Sequence, residues 1–190
     1  MFRLITLLLF KLNGWKLIFD NEILSRHKKF ILIGAPHTSN WDAIYFIAAT
    51  RKSKLKPNFL IKKTWTKFPF NIIFKPLGAI GVDKKKPKKS SGMINYMVNL
   101  FKENKKLIIA ISPEGTRSKN PNWKTGFYQT ALLAKVPIVL GYLDYSKKVA
   151  GITEVFLPTG DVIKDLTFIS DFYKQFSGKN HELFASYDPS

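Results

Sequence analysis

Phe30-Ile31-Leu32-Ile33-Gly34-Ala35 is an unbroken apolar run that stops at Pro36-His37. A strand buried on both faces reads this way, because neither face meets water. Leu107 to Ile111 is a second such run, and it too ends in a polar segment, Ser112-Pro113-Glu114-Gly115-Thr116-Arg117. Working outward, shorter strands are expected at 58–61, 79–82, 136–143 and 149–157, with Pro137 at the start of its strand. Helices are expected at 40–50, capped by Ser39 or Asn40, and at 65–74, limited by Pro69. Another should start near Ser90 or Ser91 and run to 104, where Met93, Ile94, Met97, Val98 and Phe101 recur at helical spacing. Two more are expected at 125–134 and 162–176.

Strands that alternate with helices predict an α/β fold, a single domain with a mostly parallel or mixed sheet flanked by helices. No repeat or linker divides the chain. Ligands of such sheets bind beyond the carboxyl ends of the strands. The segments that follow three of the strands, Pro36-His37, Asp83-Lys84 and 112–117, are therefore expected to converge on one edge.

The chain has 190 residues, 45% of them hydrophobic, so it can bury a core and is not a disordered polyelectrolyte. It contains no cysteine, which excludes disulfides, zinc-thiolate sites and a thiol nucleophile together. The formal net charge is +18, and from Arg51 to Lys89 there are 13 basic residues and one acid, Asp83. Such a balance points to an anionic partner: a nucleic acid, an anionic lipid or a phosphorylated substrate.

The amino terminus, MFRLITLLLFKLNGWKLIF, is apolar but broken by Arg3, Lys11 and Lys16. Its uncharged run, Leu4 to Phe10, is far short of the roughly 20 residues a spanning helix needs. Lys11-Leu12-Asn13-Gly14 does not suit a signal-peptide cleavage site. Cations set among Leu, Ile, Phe and Trp15 suit an interfacial helix, so residues 1–19 are read as a membrane-interface segment and 20–190 as the domain proper. Phe2, Leu4, Ile5, Leu8, Leu9, Leu12 and Trp15 are its expected apolar anchors, and Lys84 to Lys89 an accompanying source of charge.

His37 is one of three histidines and stands in a loop, with Asp42 five residues on in the first turn of a helix. A carboxylate so placed accepts from one ring nitrogen, fixes the tautomer, and leaves the other nitrogen to take a proton from a hydroxyl. Arg117, in a turn loosened by Gly115, offers a forked donor for phosphate.

The two segments together are more specific than either alone. His37-x4-Asp42, followed much later by Pro113-Glu114-Gly115-Thr116-Arg117-Ser118, resembles the glycerolipid acyltransferase family, whose bacterial lysophosphatidic acid acyltransferases are the nearest type. Lys62-Lys63 before Phe68-Pro69, and Gly78-Ala79-Ile80-Gly81-Val82-Asp83-Lys84, resemble its middle block. Lys124-x-Gly126-Phe127 and Val136-Pro137-Ile138-Val139 resemble its last two features. The family usually has Arg where Lys84 stands and proline where Leu140 stands.

The resemblance implies an acyltransferase domain with His37 as general base and Asp42 orienting it. The acceptor hydroxyl of a lysophospholipid, such as 1-acylglycerol-3-phosphate, would attack an acyl thioester directly. Glu114, Gly115, Thr116 and Arg117 would place the acceptor, with Arg117 and Lys84 near its phosphate. The donor, acyl-CoA or acyl carrier protein, is a substrate, and neither cofactor nor metal is implied. An anionic membrane surface is the expected partner, with the protein monotopic on the cytoplasmic face of the inner membrane.

Another acceptor, such as a lyso-aminolipid, is the alternative within the family. A basic nucleic-acid-binding protein is the non-enzymatic rival, but no recognition motif accompanies the charge and no nucleic acid is expected. Ser25-Arg26-His27-Lys28 and Lys124-Thr125-Gly126 match elements of penicillin-binding enzymes. Their Ser-Asp-Asn element is missing, since Ser170-Asp171 continues to Phe172 and falls after Lys124.

Overall fold

A computed structural model describes residues 2–82 and 90–189. Five strands form the main sheet: β1 (Lys16–Phe19), β2 (Lys29–Gly34), β5 (Leu107–Ile111), β6 (Ile138–Asp144) and β7 (Val149–Phe156), in the order β1-β7-β6-β2-β5. A second, two-stranded parallel sheet joins β3 (Phe59–Lys62) to β4 (Ala79–Val82). Among the described residues seven α-helices accompany them: α1 (Phe2–Leu12), α2 (Glu22–Arg26), α3 (Trp41–Lys52), α4 (Asn71–Phe74), α5 (Ser90–Glu103), α6 (Gly126–Ala134) and α7 (Val162–Tyr173).

The first apolar run is the middle of this architecture. Phe30, Ile31, Leu32 and Ile33 are each 1% exposed or less, as a strand covered on both faces requires. Ile31 and Ile33 join Ile109, Ile138 and Leu140 in a core closed by Phe101 of α5, Phe127 of α6 and Ile169 of α7. Phe30 and Leu32 point the other way, toward Leu55, Val139 and Ile152, on the side covered by Phe46 of α3. Period-two alternation thus sorts one strand between two helical layers.

The sheet is mixed. β2 pairs in parallel with both β5 and β6, whereas β6 and β7 are antiparallel. Only 145–148 separate β6 from β7, too short for a crossover, so the chain must double back. Asp144 fixes that turn by accepting from the Ser146 amide at 3.1 Å and the Ser146 hydroxyl at 2.6 Å.

Three elements depart from the sequence reading. Residues 16–19, expected within the interface segment, form β1, which pairs in parallel with β7. Trp15, expected as an apolar anchor, is 7% exposed and stacks on Tyr45 of α3 at 4.4 Å. Burying that ring in the domain outweighs offering it to a lipid surface. The second departure is α2, which was not anticipated. The helix expected at 65–74 is also shorter than read: a 3-10 turn occupies Lys63–Thr66, and only Asn71–Phe74, beyond Pro69, is α-helical. Among the described residues no helix is long and apolar enough to cross a membrane.

Candidate active site

Because β2, β5 and β6 run the same way, their carboxyl ends share one edge. The loops leaving them carry His37, Glu114 and Tyr145 to a common point. β3 is parallel to β4 and bridges β5 in parallel at Asn58–Ile109, so β4 also ends on this edge. Lys84, expected there, lies outside the described residues, as does the rest of the Lys84 to Lys89 run.

Asp42 organises the site. It sits in the first turn of α3, 4% exposed, and gathers donors on both oxygens. Oδ2 accepts from the amides of Thr38 and Ser39, each at 2.9 Å, and lies 3.1 Å from His37 Nδ1. Oδ1 accepts from the Tyr145 hydroxyl at 2.6 Å. A buried carboxylate needs such partners to remain an anion. An ionised carboxylate only accepts, so Nδ1 carries the ring proton and Nε2 keeps its lone pair. The His37 side chain is 31% exposed, so that lone pair is within reach of a ligand. Burial and the bond to Asp42 push the Tyr145 phenol far up, which keeps it a donor.

Glu114 lies on the expected edge with its carboxyl turned inward. It is 1% exposed, and its carboxyl accepts the His37 backbone N–H through Oε1 at 3.0 Å and Oε2 at 3.2 Å. It braces the loop that carries the imidazole. Burial raises its pKa to about 7, with the His37 amide pulling the other way. Gly115 follows in a left-handed conformation (φ 67°), and a Cβ there would lie 2.9 Å from the stem of Lys124. The Thr116 hydroxyl accepts from the Ser118 amide at 3.2 Å. Arg117 is exposed, with no acidic partner among the described residues.

Sequence reasoning missed Tyr145 and the carboxyl-terminal clamp. Tyr145 follows a parallel strand directly, so the strand-end rule had the information to find it. The clamp had no such signal. The Asn180 amide donates to Thr38 Oγ1 at 3.1 Å, and its side chain donates to the Thr38 carbonyl at 2.9 Å.

A cavity of about 620 Å3 opens beside His37 and Asp42. It runs beneath α3 along Ala43, Phe46, Ile47 and Thr50, over a floor that includes Leu32, Gly34, Leu143 and Ile152, to Leu55, Pro57 and Leu77. Its lining is mostly apolar, with Arg51, Lys54 and Lys56 among the cations that border it. A Cβ added at Gly34 would meet nothing within 4 Å. Among the described residues no three His, Asp or Glu side chains come together as metal ligands. The arrangement suits proton abstraction from a hydroxyl next to a slot for an apolar chain.

The family described as Acyltransferase matches residues 16–140. No curated protein matches the chain. Among solved structures, the crystal structure of the 1-acyl-sn-glycerophosphate (LPA) acyltransferase PlsC from Thermotoga maritima is similar, with a TM-score of 0.59 and 15% identity. The likeness covers 92% of this chain and 76% of that one, and at such an identity it is a likeness of fold.

Proposed function

This chain belongs to the acyltransferase family, and from that premise we propose that it moves a fatty acyl group from an acyl thioester to the hydroxyl of a lysophospholipid. The observation that carries the reading is His37, its Nδ1 held by Asp42, at the mouth of an apolar cavity. Nε2 takes the proton of the acceptor hydroxyl as the oxygen attacks the thioester carbonyl. The tetrahedral adduct then expels the thiolate, which recovers the proton from Nε2. Atoms balance without an acyl-enzyme, and the base is regenerated.

The donor is acyl-CoA or acyl carrier protein, and its chain lies in the cavity under α3. Arg117, exposed at the strand edge, suits the acceptor's phosphate, and Lys84 is the second cation assigned to that phosphate. Glycerol-based lysolipids such as 1-acylglycerol-3-phosphate are the reference acceptors. Gly115 and Thr116 shape the acceptor's turn, whereas Glu114 acts on it through the His37 backbone. The net charge of +18 and the exposed stripe Leu4, Ile5, Leu8 and Leu12 on α1 favour a monotopic protein on an anionic leaflet. Thioester donors place that leaflet on the cytoplasmic face of the inner membrane.

The test incubates purified protein with labelled acyl-CoA or acyl carrier protein and a panel of lysolipids. His37→Ala should lower the rate by roughly 10² to 10⁴ while circular dichroism is unchanged. A folded His37→Ala protein that keeps more than half of the wild-type rate would overturn the mechanism.

A further inference from the structure

The excursion between β3 and β4 is apolar without being buried. No residue of its 3-10 turn or of α4 is buried. Phe68 is 80% exposed, Ile72 66%, Ile73 53%, and Trp65 and Phe70 45% each. Within it the Trp65 ring lies 4.9 Å from Phe70 and 5.4 Å from Phe74. The three rings are therefore held together while the segment leaves its large apolar side chains to the surroundings. Contiguous exposed apolar surface on this scale marks an interaction site.

Charge selects the partner. Lys62, Lys63, Lys67 and Lys75 bracket the cluster and are exposed, and no acidic residue occurs between Ala43 and Val82. Protruding aromatic and aliphatic groups ringed by lysines match the boundary between acyl chains and anionic headgroups. There the rings sink and the ammonium groups stay at headgroup level. Phe59 and Leu77, at the two ends of the same unit, line the cavity that reaches His37.

We propose that the segment 62–75 is a second membrane-inserting element, separate from α1, which seats the cavity-bearing edge on an anionic lipid surface. It deepens the interfacial part of the functional reading and rests on it. The commitment is to lipid; an acidic protein is an outcome of the test.

The chain has no cysteine of its own, so Ile72→Cys in the full-length protein takes a single polarity-sensitive fluorophore. The label should shift to the blue, and be quenched by spin labels on lipid chains, with phosphatidylcholine/phosphatidylglycerol vesicles. Pure phosphatidylcholine should give little response, and high salt should weaken the signal. Phe68→Ser/Ile73→Ser should lower the vesicle partition coefficient by roughly tenfold or more. The same variant should keep its unfolding midpoint and its turnover of a lysolipid dispersed as monomers. A label that stays in water while the protein floats with vesicles would leave α1 as the sole anchor and overturn the proposal. So would a response to acyl carrier protein in place of vesicles. Insertion by a protein that lacks transferase activity would support the surface and sink only the reading of the reaction.

Discussion

Asp42 shows how much of the proposed His37–Asp42 dyad depends on residues outside it. Its carboxylate is held by two amides and by Tyr145 from another strand end, as well as by the imidazole. Tyr145→Phe keeps the ring and removes one donor. A hydrogen bond to a charged group is worth about 1.5–3 kcal/mol. Part of that loss should appear as a kcat about tenfold lower, with the donor's KM little changed, because the imidazole is less firmly oriented. Steady-state kinetics with the donor varied will check this; an unchanged kcat would make Tyr145 mere packing. Glu114 ties stability to pH. Its carboxyl has a reference pKa of 4.5 and about 7 in the folded protein. Between these values the native state holds a proton that the unfolded chain has lost, so the contribution is complete below about 4.5 and is lost as pH rises through 7. Glu114→Gln cannot ionise. It should be more stable than wild type near pH 8 by up to about 3 kcal/mol and hold no advantage near pH 4. Denaturant unfolding at the two pH values decides it, and an equal difference at both would remove Glu114 as the cause.

Among the elements, β2 does two jobs. Its middle is core on both faces, and its last residue, Gly34, leaves space on the floor of the cavity. Valine suits a strand, and its Cβ at this position meets nothing within 4 Å. Gly34→Val should therefore fold normally and shift the donor preference toward shorter acyl chains. A methylene in an apolar pocket is worth about 1–3 kcal/mol, so kcat/KM for the longest donors should fall tenfold or more, with short donors spared. A donor-length series measures this. A uniform loss across all lengths would mean that the cavity does not hold the acyl chain.

For the whole molecule, the amino-terminal 19 residues belong to two structures at once. Leu4, Ile5, Leu8 and Leu12 face outward, while Phe10 is 2% exposed and Trp15 packs edge-on against Tyr145 at 4.9 Å. Deleting 1–19 would strip an anchor, remove β1 from the sheet edge and unpack the ring beside the Asp42 donor. Loss of the Trp15 contact alone should cost about 3–5 kcal/mol. Leu4→Ser/Leu8→Ser/Leu12→Ser touches only the outer face, so it should weaken vesicle flotation and leave thermal unfolding unchanged. If the triple variant unfolds as early as the truncation, the outer face of α1 is structural.

The buried strands, the alternation with helices and the two motif segments were legible because each is written locally. Hydrophobic periodicity reports burial, and His37 lies only five residues from Asp42 along the chain. The strand-end rule by itself puts His37 and the segment from Glu114 to Arg117 on one edge. Contacts between residues remote in sequence were another matter. Nothing near Asn180 marks it as the clamp on Thr38, and nothing near Glu114 says that its carboxyl faces an amide instead of a substrate. Trp15 looked like a membrane anchor because composition describes a residue's affinity for apolar surroundings without saying whether protein or lipid supplies them. That choice depends on which rings lie within reach, and only the packing of α1 and β1 against Tyr45 and Tyr145 decided it.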